Sequence, residues 1–159
     1  LLEGVPAPAI GANPQRFSKI FDPFYFAQTV ESGRTATFYT NPSSLGGFEQ
    51  SEADYDFANE GTFSIGEVAT IFYGLGAAND YTGGVLAITG KSDAVACNNL
   101  PAPDCGSGAD SAPAQAGTFF PKADYEVSIP DVTGHSISLH TSAQQSFKVA
   151  HDFLAKKGF

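Results

Sequence analysis

Across residues 53–57 apolar and acidic side chains alternate, with Ala53, Tyr55 and Phe57 set against Asp54 and Asp56. A period of two is that of a β-strand with one face to the core and one to water. Thr35 to Thr40 has the β-branched and aromatic content of a strand and ends at Asn41-Pro42. Thr62 to Ile65 extends the pattern, as does Val68 to Tyr73, which is apolar enough for burial on both faces. Val85 to Thr89 reads as a further strand stopped by Gly90. Thr118 to Phe120 and Ala123 to Ile129 resume it around Pro121, a bulge or edge residue, and Ser136 to His140 gives a last short strand. Phe17, Ile20, Phe21, Phe24, Tyr25 and Phe26 crowd around Asp22-Pro23, which predicts a helical turn and then a strand. The C-terminal segment alone has a helical period, with Phe147, Ala150, Phe153 and Leu154 on one face after an N-cap at Thr141 or Ser142. Lys156 and Lys157 suit its negative end, and Gly158 stops it.

Many short strands joined by turns predict an all-β fold, an antiparallel β-barrel of about eight strands with a C-terminal helix. The 17 Gly and 10 Pro work against long helices, and 159 residues suit one domain. Residues 1–16, with Pro6, Pro8, Gly11 and Pro14, read as an extended N-terminal arm, and 17–159 as a single barrel domain. Residues 94–117 read as an irregular insertion. Nothing repeats at a fixed period, so a solenoid or propeller is disfavoured.

Charge narrows the partners. The net charge of -9 has the wrong sign for binding nucleic acid or anionic lipid. No Lys or Arg lies between Arg34 and Lys91, whereas Glu49, Glu52, Asp54, Asp56, Glu60, Glu67 and Asp80 do. That predicts an acidic face, either simply solvated or a dock for a basic partner or cations. No apolar stretch is long enough to span a bilayer. The chain begins with Leu1, which fits a processed product or a truncated one.

Cys97 and Cys105 flank a turn-rich stretch and read as a disulfide that ties down the insertion. A metal pair would need more ligands at shorter spacing, and a redox pair would be C-x-x-C. A disulfide implies an oxidising compartment: secreted, periplasmic or an organelle lumen.

Tyr81 to Asp93, a strand running into a glycine turn, and Thr118 to Ile129, a returning strand, resemble the barrel domain of allene oxide cyclases and, more remotely, dirigent proteins. The resemblance implies an eight-stranded antiparallel barrel with an apolar interior, often oligomeric, that handles small hydrophobic molecules without a metal or organic cofactor. It covers Gly61 to Ile129, and the disulfide insertion departs from the family's short return. No catalytic residue of the cyclases maps onto Phe17 to Thr35.

No P-loop, dinucleotide, nucleophile-elbow or zincin motif is present. His135, His140 and His151 are too far apart to form a recognised ligand motif, so no metal site is expected. Asp54 and Asp56 lack the further ligands of a calcium loop. Glu67, ahead of the apolar run, is the one candidate general acid or base, against its plainer reading as a turn residue. Tyr55, Phe57, Phe72, Tyr73 and Tyr81 are the candidates to line a cavity, against ordinary core and rim packing. Two functions follow. One is a cofactor-free barrel that binds a small apolar molecule and, as a cyclase or isomerase, steers its reaction. The other is a non-catalytic interaction module, such as an extrinsic subunit of a larger protein complex.

Overall fold

The computed structural model describes residues 6–10, 16–39, 46–71, 73, 75–97, 105–106 and 108–159. Among these the chain is mixed α/β, 37% helical and only 13% strand, with sheets of three and two strands. The closed antiparallel barrel expected from the alternation, and implied by the resemblance, is therefore replaced by a different architecture. The described residues divide into two compact units, one of residues 1–36 and 50–75, the other of 37–49 and 76–159.

The first unit holds a small antiparallel sheet of β1 (Ala7–Pro8), β2 (Tyr25–Ala27) and β3 (Phe63–Ser64). Its register pairs Ala7 with Ala27 and Phe26 with Phe63, whose rings stack at 6.2 Å. Ala9, Phe17 and Ala27 are buried together, with Ile20 packed against them. Residues 35–38 and 53–57, expected as strands, lie in helices α1 (Glu31–Phe38) and α2 (Gln50–Asn59). The reason is the inward face of α2 and of Glu60, the residue after it. Ala53 is buried, Asp56 and Glu60 meet Arg34, and Phe57 lies under the Arg16 guanidinium. That set has helical spacing, and its two carboxylates turn inward because arginines receive them. Glu60 also pairs with Arg16, whose guanidinium lies 4.5 Å and 4.1 Å from the ring centres of Phe17 and Phe57. Val68 to Tyr73, expected as a buried strand, instead begins inside helix α3 (Ile65–Thr70), started by a capping box in which Ser64 and Glu67 each bind the other's backbone N–H.

In the second unit β4 (Gly84–Ile88) and β5 (Asp124–Ser128) pair in parallel, from Gly84 opposite Asp124 to Ile88 opposite Ser128. Both segments were expected as strands, but of an antiparallel barrel. A parallel pair needs a long crossover, and the stretch between them, with the disulfide and helix α4 (Ala112–Ala116), is that crossover. Thr118 to Phe120 and Ser136 to His140, also expected as strands, contain short 3-10 turns instead. Helix α5 (Ala143–Lys156) runs back along the pair: Phe153 and Lys157 reach Gly84, while Lys157 pairs with Asp124 and Lys156 with Glu126 at 2.7 Å.

Candidate functional site

Two places in the described structure have the make-up of a site. The first is a polar centre in the second unit, built where β4 and β5 end, the edge at which open parallel sheets hold their ligands. Asp93 follows the end of β4 and is 2% exposed. Its carboxylate accepts the Thr89 hydroxyl at 2.9 Å and the N–H groups of Val95 and Ala96 at 2.9 Å and 2.8 Å. His135 Nδ1 lies 2.9 Å from Oδ2 and 3.1 Å from Oδ1. Burial by itself would raise the Asp93 pKa, but the hydrogen bonds from His135, Ala96 and Thr89, with the charge of His135, outweigh it and hold it below the ordinary aspartate value. An ionised carboxylate only accepts, so Nδ1 of His135 carries a proton towards it, which leaves Nε2 as the other ring nitrogen. The His135 side chain is 40% exposed and rests against Phe38, with ring centres 5.6 Å apart.

The surroundings fix this pair tightly. A Cβ at Gly90 would overlap the carbonyl oxygens of Thr133 and Gly134, and one at Gly134 would overlap the backbone of Phe38 and Tyr39. His140 is buried: its Nε2 accepts the Gly134 N–H at 3.0 Å, so its Nδ1 donates to the Ser136 carbonyl at 2.8 Å. Burial pushes its pKa down against the opposing pull of that carbonyl, so the ring stays neutral. Cys97 and Cys105 form the expected disulfide, both buried, and the Thr89 hydroxyl lies 3.8 Å from Cys105 Sγ. An imidazole oriented by a buried carboxylate can accept a proton or hold a ligand at Nε2. Among the described residues no group of three His, Cys, Asp or Glu could hold a metal ion. A cleft of about 220 Å³ beside α5 is lined by Ser128, Asp131, Ser142, Gln145 and Ser146 among others. Thr133, which bonds Ser142 at 2.6 Å, joins that cleft to the His135 loop.

The second place is an apolar surface on the first unit. Phe21 is 82% exposed and Phe24 59%, at the turn before β2. The Ile65 N–H donates to the Phe24 carbonyl at 3.0 Å, so this turn adjoins the start of α3. Every residue of α3 is exposed, and Ile65, Val68 and the C-cap Ile71, spaced three apart, are each about half in water or more. Tyr73 and Leu75 follow, also exposed. Two carboxylates are held at fixed points in this surface. Asp22 accepts the Phe24 N–H at 2.9 Å, and Glu67 closes the capping box with Ser64.

Glu67 is exposed, and its hydrogen bonds from the Ser64 backbone and side chain lower its pKa, the opposite of what a general acid needs. Tyr55 is exposed on α2, Phe57 is the shelf for Arg16, and Tyr73 is exposed. Tyr81 belongs to the other unit and donates to the Gly84 carbonyl at 3.2 Å. Phe72 lies outside the described residues. The Asp93–His135 pair, 42 positions apart, had no local signature. The capping box Ser64-Ile-Gly-Glu67 did, and it marks the start of α3. Comparison with protein-family models, with curated proteins and with solved structures returned no match.

Proposed function

We propose that this chain is a non-catalytic docking subunit of a larger protein assembly in an oxidising compartment. The observation that carries this reading is the exposed apolar surface of Phe21, Phe24, Ile65, Val68 and Ile71. Single exposed apolar residues are ordinary, but a set of them on one helix and the turn it adjoins is the mark of an interaction site. A helix of six residues with no buried side chain gains little from its own unit, and a partner supplies the burial it lacks. The buried disulfide supports the compartment, and no helix among the described residues is long and apolar enough to cross a membrane.

Native mass measurement on source material tests this. The chain is expected in a complex, and the Val68→Glu, Ile71→Glu variant is expected to be released from it with an unchanged far-ultraviolet spectrum. A wild-type chain recovered as a free monomer with no co-purifying protein overturns the reading.

A further inference from the structure

Resting on the docking reading, we infer that the surface of Phe21, Phe24, Ile65, Val68 and Ile71 receives a protein segment whose apolar face is bordered by Lys or Arg, rather than an anionic membrane or a second copy of this chain. Negative charge is placed within the apolar patch. Asp22 sits between Phe21 and Phe24, its carboxylate tethered to the Phe24 N–H. Glu67 lies between Ile65 and Val68, its carboxylate tethered to the Ser64 N–H beside the same turn. Neither acid has a basic partner among the described residues. The cations of this unit are already spent, because Arg16 and Arg34 are bound to Glu60 and Asp56, which leaves Lys19 against exposed Asp22, Glu31, Glu52, Asp54 and Glu67.

Each rival occupant meets these two carboxylates badly. Exposed Phe and Ile would suit a lipid interface, but peripheral binding to anionic lipid draws on Lys and Arg around the apolar face, and here the fixed charges are negative. A twofold contact between copies would set the same patch against itself and bring Asp22 and Glu67 of each copy towards like charge. A partner with basic residues around an apolar strip satisfies both features, since its cations meet carboxylates that are already oriented and need not be ordered on binding.

The test uses the full oxidised chain and four probes: an amphipathic Leu/Lys helical peptide, its Leu/Glu counterpart, and phosphatidylcholine vesicles with and without phosphatidylglycerol. The Leu/Lys peptide is expected to bind at least about tenfold more tightly than the Leu/Glu peptide at low salt, with the gap closing towards about 1 M salt. Asp22→Asn with Glu67→Gln keeps both acceptor oxygens and removes both charges, and is expected to abolish that preference while apolar binding remains. Val68→Ser with Ile71→Ser is expected to weaken both peptides. Equal binding of the two peptides by the wild-type chain, preferential binding of the anionic vesicles, or dimerisation lost in the serine variant each overturns the basic-partner assignment. If the serine variant binds both peptides as well as wild type does, the docking surface itself is refuted.

Discussion

At the scale of single residues, Asp93 is a tightly held side chain of the second unit. It is buried and takes four donors, so Asp93→Asn, which cannot accept at the amide nitrogen, is expected to cost about 2 kcal/mol. Urea unfolding at neutral pH measures this. Because its pKa is held below the reference of 3.8, the stabilisation is complete above that value and is lost as pH falls below it. The asparagine variant should therefore lose less stability between mild and strong acid than wild type does. His140 acts in a different window. Its pKa is lowered from 6.5, so below 6.5 the unfolded chain binds more protons than the folded one and stability declines as pH is lowered. His140→Asn is expected to flatten that limb of the urea-midpoint profile, and parallel profiles for the two proteins would refute the assignment.

At the scale of elements, the outcome turned on which period the core accepts. Ala53, Tyr55 and Phe57 suggested a strand, whereas the residues that α2 turns inward are Ala53, Asp56 and Phe57, with Glu60 just past its end. The inward acids were unreadable in sequence because Arg34 and Arg16, which make them tolerable there, lie far away along the chain. The signal for α3 was present in Ser64 and Glu67, but the apolar run behind them resembled a buried strand. Ser64→Ala removes the cap and is expected to weaken the helix by about 1 kcal/mol, read as faster amide exchange at Val68 and Ile71. In the crossover, the disulfide closes a loop between positions eight apart. Replacing both cysteines with serine is expected to cost about 2.5 kcal/mol by the chain-entropy relation for so short a loop. Equal urea midpoints for the two proteins would contradict it.

At the scale of the whole molecule, the acidity that argues in the sequence against a nucleic-acid partner also enters the docking proposal, because Arg16 and Arg34 of the first unit are bound to its own acids. Intact mass should rise by two hydrogens on reduction, and no gain would remove the disulfide and the compartment argument with it. Composition, charge balance, the cysteine pair, the two strands Gly84–Ile88 and Asp124–Ser128 and the last helix were all legible in the sequence, because each depends on local spacing or on simple counts. The parallel pairing of those strands, the helical state of Glu31–Phe38 and Gln50–Asn59, and the meeting of Asp93 with His135 were decided only in the tertiary structure. The physical reason is the same in each case. A crossover, an inward carboxylate and an oriented imidazole are defined by partners distant in sequence, and local periodicity carries no information about which distant group will arrive.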